Sequence, residues 1–241
     1  MYKEFATIYD SFSDQLFYQQ WFDFIKPYLK QDMQILDLGC GSGTLLTFFK
    51  NETVELSGLD LSEDMLVAAA EKFTKSLQKV ELYHENMVNF HAGTQIYDMI
   101  LSTCDSINYI SSYTDFEKLF KNIGQMLKSG GYFLFDMHSD YTFEKRFNDW
   151  SYADADDTTS VLWNTFTEDG FAFEHELTFY CKGEMGLYER FDEIHQQYFY
   201  KHAYVEQQLK KNGLKIVEMT TDFTGKYSAV GKRIFYAVLK E

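Results

Sequence analysis

The sequence predicts an α/β fold, a largely parallel sheet with helical crossovers that is interrupted late in the chain by an antiparallel β-meander. Three observations carry that expectation. Between Gln34 and about Met137, short β-like runs alternate with helix-like stretches, the pattern of a parallel sheet with right-handed crossovers. Ile35-Leu36-Asp37-Leu38 runs directly into three alternate glycines, Gly39, Gly41 and Gly43, as where a strand turns into a helix beside a ligand. After about Asp140, β-branched and aromatic runs separated by turn residues take over, and the α/β pattern resumes near residue 201.

Each element has its own signal. Leu16, Phe17, Trp21, Phe24 and Ile25 recur at helical spacing, which predicts a helix over roughly residues 11–29 within an N-terminal segment 1–30. That spacing favours Trp21 as a core residue over the alternative, a lid that closes a pocket together with Tyr2. MQILDL is the first strand and TLLTFFK a helix behind the glycines. VELSGLD is the second strand. SEDMLVAAAEKFTK follows as a helix, with Ser62 as N-cap and Glu63 and Asp64 where the helix dipole favours acids. KVELYHENM and YDMILSTCD are the third and fourth strands. TDFEKLFKNIGQMLKSGG reads as a helix closed by its glycine pair, and YFLFDMHS as the fifth strand. Within the insertion, about residues 140–200, Asp169-Gly170 and Lys182-Gly183 mark turns, so three strands are expected over about 158–200. AYVEQQLKKNG, LKIVEMTTDF and KRIFYAVLK add a helix and two strands. The single proline and the lack of a Ser/Gly-rich linker make residues 1–241 one domain.

Composition narrows the partners. Lys and Arg are outnumbered 22 to 37 and the net charge is −15, so a nucleic acid or an anionic membrane surface is disfavoured. A neutral or cationic small molecule fits this balance better. Apolar runs fall short of the ~18 residues of a membrane span, and MYKEFATIYDSF is unlike a signal peptide. Cys40, Cys104 and Cys181 are odd in number and widely spaced, which is neither a disulfide framework nor a metal site. A cytoplasmic protein is the simplest expectation; oligomeric state is open. Aromatic residues make up 18% of the chain, enough to fill a core and to line a ligand cleft.

Three ligands compete for the glycine loop. A phosphate loop requires Lys after its last glycine, and none follows. A dinucleotide fingerprint places glycines as G-x-G-x-x-G, but its third position is Thr44. Asp37 before the loop would repel a pyrophosphate and suit a positive amino group. Asp60, at the end of the second strand, is placed to bond ribose hydroxyls. A nucleoside joined to a cationic amino acid satisfies both carboxylates, and S-adenosylmethionine is such a molecule.

With these motifs, the chain resembles the class I S-adenosylmethionine-dependent methyltransferases. Leu36-Asp37-Leu38-Gly39-Cys40-Gly41-Ser42-Gly43 is similar to their first motif and SGLDLSEDML to their second. YDMILSTCDSINYI and LKSGGYFLFDMHS resemble the fourth- and fifth-strand motifs, and the similarity covers most of residues 1–140 and 201–241. The subgroup most resembled is the YqeM-like bacterial methyltransferases, relatives of glycine and amino-sugar N-methyltransferases. The resemblance implies a Rossmann-like seven-stranded sheet with its last strand antiparallel, the meander roofing the substrate side. It also implies that Gly39, Cys40 and Gly41 seat the methionine part and that Leu61 and Met65 flank the adenine. Asn86 and Met87 lie where an Asp usually meets the adenine amino group, so an amide oxygen would serve here. Tyr9, in the Tyr-Asp start EFATIYDSF, would close over the cofactor.

Candidate catalytic residues lie at the ends of strands. Cys104 and Asp105 follow the fourth strand, where the methyl group would face. Asp105 can order an amine acceptor or the cofactor amino group; equally, Asp105 or Ser106 can cap a short turn. His138, beyond the fifth strand, has the chemistry of a general base, a role that competes with that of a solvated loop histidine. His195 shares a strand face with Glu193 and Gln197, either a cleft wall or a solvated face. The reaction implied is in-line transfer of a methyl group to a small-molecule acceptor, with an amine nitrogen favoured by the resemblance. It calls for no metal.

Overall fold

The computed structural model describes residues 15–147, 150–183 and 186–241. In chain order its elements are α1 (Gln15–Ile25), β1 (Met33–Leu38), α2 (Thr44–Thr47), β2 (Val54–Asp60), α3 (Glu63–Ser76), β3 (Val80–His84), β4 (Tyr97–Ser102), α4 (Tyr113–Met126) and β5 (Leu127–His138). α5 (Asp140–Lys145) leads into β6 (Trp150–Ala155), β7 (Thr159–Thr167), β8 (Ala172–Lys182) and β9 (Tyr188–Tyr198). The chain ends with α6 (His202–Lys211), β10 (Leu214–Thr221) and β11 (Arg233–Lys240).

Seven strands form one sheet in the order β10-β11-β5-β4-β1-β2-β3. β11 is antiparallel to both neighbours, and the remaining pairs are parallel. The central strands are apolar on both faces because both are covered. Leu36, Ile100, Phe133 and Phe135 pack into one layer of core, and Ile35, Met99, Leu101 and Leu134 into the other. On the first face, Phe116, Leu119, Phe120 and Ile123 of α4 are buried at helical spacing. Phe135 and Tyr236 stack at 4.5 Å and Phe116 stacks on Tyr200 at 4.1 Å. Burying each such ring is worth roughly 1.5–3 kcal/mol. Trp21 is sealed in the opposite face, 5.2 Å from the Phe235 ring.

A second, antiparallel sheet runs β6-β7-β8-β9. It has one strand more than the three expected, because Trp150–Ala155 pairs with β7 through a turn in which Asp156 Oδ1 accepts from the Thr158 and Thr159 amides. WSYADA lacks β-branched residues, and long-range pairing overrides that weak propensity. The insertion is fastened to the main sheet at the strand-end edge. There Asn108 Nδ2 donates to the Tyr198 carbonyl at 3.1 Å and Tyr200 OH to that of Ile110 at 2.7 Å.

The third and fourth strands end three residues earlier than read, at His84 and Ser102, and two further boundaries differ. α4 ends at Met126, and Leu127 to Gly131 belongs to β5. Gly130, at φ +78°, and Gly131, whose Cβ would lie 2.9 Å from a carbonyl oxygen, form an irregularity in that strand instead of closing the helix. The helix behind the glycine loop is a single α turn followed by a 3-10 turn over Phe48–Asn51.

Candidate active site

The alternate glycines differ in what they permit. Gly39, Gly41 and Gly43 all have positive φ, of +80°, +53° and +72°. A Cβ on Gly39 would lie 2.7 Å from Ser106 Oγ, and one on Gly43 would lie 2.4 Å from the Phe73 ring. Close packing therefore excludes side chains at both positions. Among the described residues, a Cβ on Gly41 would have nothing within 4 Å. Its amide instead donates to Asp60 Oδ2 at 2.8 Å, while Asp60 Oδ1 accepts from the Ser62 amide at 2.8 Å. Asp60 thereby ties the end of β2 to the glycine loop. Burial raises its carboxyl above the ordinary range against the effect of these hydrogen bonds.

A cleft of about 500 Å³ opens over this loop. Gly39, Cys40, Gly41, Asp60, Leu61 and Met65 form one side, with Asn86, Met87 and Cys104 beyond. Tyr109, Glu193 and His195 close it from the insertion side. Tyr109 and His195 meet, hydroxyl to Nδ1, at 3.2 Å. Burial lowers the His195 pKa, which keeps its ring neutral near pH 7. Ser62 caps α3 as expected, accepting from the Met65 amide at 3.3 Å.

A buried polar network stands at the ends of β4 and β5. Cys104 and Asp105 both adopt left-handed backbone, at φ 57° and 55°. For non-glycine residues this costs on the order of 1 kcal/mol or more each. Contacts with Asp105 hold the geometry: its Oδ1 lies 2.7 Å from Arg233 Nη1 and its Oδ2 3.2 Å from His138 Nε2. Gln197 Nε2 donates to the same Oδ2, and the Asp105 amide donates to Asp136 Oδ2 at 3.1 Å. Arg233 also pairs with Asp136 at 2.5 Å. Burial opposes the Asp105 charge, but Arg233 and then His138 outweigh it and hold the carboxyl well below its usual range. Burial lowers the His138 pKa despite Asp105. A neutral His138 beside a carboxylate must donate through Nε2–H, leaving Nδ1 as its basic atom.

Most of the expected cofactor residues line the cleft, but four of the candidate residues do not. Asp37 is buried in β1, 1% exposed, instead of standing at the rim, and among the described residues its Oδ1 has no hydrogen-bond partner. Trp21 is fully buried among Phe24, Phe223 and Phe235 and reaches no cleft, because the sheet needs that helix face as cover. The α1 residue that lines the cleft is Tyr18, one turn earlier. Asp105 caps nothing with its side chain and points into the network. His138 lines a different cavity and is hardly exposed, which removes the solvated-loop alternative. Tyr9 and Tyr2 lie outside the described residues. Asn86 borders the cleft, yet its amide oxygen already accepts from the Val88 amide at 2.9 Å. Cys40 and Cys104 are held as thiols by burial. Arg233 and Asp136 went unread in the sequence. The signal was Arg233 opening the last strand: an antiparallel β11 begins where the parallel strands end, at the ligand edge.

The chain matches the Methyltransferase domain family over residues 9–219. It is 33% identical to YqeM, a proposed methyltransferase of Bacillus subtilis (strain 168), across 100% of this chain and 97% of the relative. It is 24% identical to the dTDP-3-amino-3,4,6-trideoxy-alpha-D-glucopyranose N,N-dimethyltransferase of Streptomyces venezuelae, covering 87% and 86%. A crystal structure of an S-adenosylmethionine-dependent methyltransferase from Clostridium acetobutylicum ATCC 824 superposes with a TM-score of 0.86 at 31% identity, covering 99% and 98%. The chain belongs to the S-adenosylmethionine-dependent methyltransferases. Its own residues suit that cofactor. Asp37 Oδ1, without a partner among the described residues, is a buried acceptor that would suit a cationic amino group. Gly41 leaves backbone open to the cleft, and Asp60 keeps lone pairs beyond its two amide bonds.

Proposed function

We propose that the protein methylates an amine nitrogen of a small-molecule acceptor. The observation that carries this reading is His138 Nε2 held 3.2 Å from Asp105 Oδ2 where the parallel strands end, a base able to take the proton that an acceptor amine loses. Support also comes from the Streptomyces relative, whose name describes an amino-sugar N,N-dimethyltransferase.

When bound, S-adenosylmethionine supplies a methyl group already activated by its positive sulfur, which leaves as a neutral thioether in an in-line displacement. Gly39, Cys40 and Gly41 would seat its methionine part. Asp37 would take the amino group, Asp60 the ribose hydroxyls, and Leu61, Met65 and Met87 the adenine. With the leaving group so activated, these residues have mainly to align the reactants and exclude water. The β9 roof with His195 and Tyr109 shields the cleft from solvent. His138 takes the proton lost by the acceptor at Nδ1, and Asp105 stabilises the imidazolium that results. Arg233, Gln197 and Asp136 are positioning residues that fix the Asp105 carboxylate.

The test is transfer of labelled methyl from S-adenosylmethionine across matched panels of amines and alcohols. Turnover confined to amines is expected. Turnover of alcohols alone would overturn the choice of nitrogen.

A further inference from the structure

A second cavity, of about 450 Å³, shares no lining residue with the cofactor cleft among the described residues. Its composition is unusual for this chain. The protein has only three arginines and three tryptophans. Two of each, Arg146, Arg233, Trp150 and Trp163, line this one cavity.

The aromatic wall is set for a flat group. Trp150 and Trp163 meet edge to face at 5.5 Å, and the Arg146 guanidinium lies 5.8 Å from the centre of the Trp150 ring. A guanidinium stacked on a ring keeps its in-plane donors available. The charges are not equivalent. Arg233 is taken up by Asp105 and Asp136. Asp222, the carboxylate that lines the cavity, accepts from the Lys232 and Arg233 amides. Arg146 and Lys232 remain, and among the described residues neither meets a carboxylate in an ion pair.

The cavity also touches the chemistry. His138 and Arg233 line it and both bind Asp105, whose neighbour Cys104 lines the cofactor cleft. An acceptor held there would keep one end at His138 and extend the other toward Arg146.

We propose that this cavity is the acceptor chamber, and that Arg146 with Lys232 selects an acceptor carrying a carboxylate or phosphate next to a flat apolar portion. The inference rests on the methyltransferase reading for the word acceptor. The net charge of −15 taken alone points to a neutral or cationic acceptor, but Arg146, Lys232 and Arg233 line the chamber against the single lining carboxylate of Asp222. Walls of low polarity concentrate that local field.

The experiment titrates the full chain, saturated with S-adenosylhomocysteine, with phenyl phosphate, benzoate and neutral benzyl alcohol. Tryptophan fluorescence reports occupancy beside Trp150 and Trp163. At least one anion should quench saturably and bind about tenfold or more tighter than the alcohol, the loss expected when a charged hydrogen bond is absent. The tighter of the two anions identifies the headgroup. Arg146→Gln should weaken that anion about tenfold, and Arg146→Gln with Lys232→Gln should abolish the preference over the alcohol. Affinity for S-adenosylhomocysteine should be unchanged in both variants, which also shows that they fold. Equal binding of alcohol and anions, wild-type anion affinity in the double variant, or no saturable quenching at millimolar anion would each overturn the proposal. Failure of S-adenosylhomocysteine to bind would instead count against the methyltransferase reading, with the anion preference still measured separately.

Discussion

Asp37 carries the largest consequence at the scale of a single residue. Burial, and secondly the charge of Asp60, push its carboxyl up to about 7 from the ordinary 3.8. Between those values the folded chain holds a proton that the unfolded chain has lost, so stability declines as pH rises through that window and is level above it. A cationic amino group arriving at Asp37 should expel the proton. S-adenosylhomocysteine binding near pH 6 is therefore expected to release close to one proton, read by calorimetry in buffers of different ionisation enthalpy. Asp37→Asn should release none. Equal release from both proteins would show that Asp37 does not face the ligand. His138 makes a second prediction. A base must be neutral, so kcat/KM should fall as pH drops through a pKa below 6.5, the ordinary histidine value. His138→Gln should remove that acidic limb and lower kcat by about 10²–10⁴. An unchanged profile would exclude it as the base.

At the scale of elements, the strand-loop-helix unit explains why alternate glycines are needed. Gly43→Ala places a methyl group 2.4 Å from the Phe73 ring in backbone at φ +72°, whereas Gly41→Ala meets only the strain of positive φ. Denaturant titration should find Gly43→Ala more destabilised, by roughly 1–3 kcal/mol, the cost of overpacking. Gly41→Ala should mainly weaken S-adenosylhomocysteine binding, because its methyl group enters the cleft. The reverse ranking would contradict this division of roles. These glycines were legible in the sequence because each marks a conformation its own position requires. The β6 strand was not, since WSYADA becomes a strand only by pairing with β7. Nor was the α4–β5 boundary, where Gly130 and Gly131 form an irregularity within β5 although a glycine pair commonly ends a helix.

Across the whole molecule, Arg233 joins three distant parts of the chain. It opens β11, holds Asp136 of β5 and holds Asp105 beyond β4. Removing a buried cation from between two carboxylates leaves their charges uncompensated, at a cost of about 3–5 kcal/mol. Arg233→Met should show that loss in denaturant unfolding, and adding Asp136→Asn should recover part of it. Full stability in Arg233→Met would mean that the pairs contribute little. The fastening of the insertion sheet works at the same scale. Gln197 of β9 bonds to Asp105, so the roof and the network are fixed together.

The α/β alternation, the glycine loop and the Asp37 and Asp60 carboxylates were set by residue order, and with them the expectation of a cationic nucleoside cofactor. Those features are set by residues a few positions apart, where backbone chirality, strand periodicity and capping act. Tertiary structure alone decided that Asp37 is buried, that Tyr18 faces the cleft while Trp21 serves the core, and that Asp105, His138, Asp136, Gln197 and Arg233 form one network. Its members lie 31 to 97 positions apart along the chain in their mutual hydrogen bonds. Their meeting depends on strand order, on the antiparallel direction of β11 and on the docking of the insertion, and these follow from burial summed over the whole core.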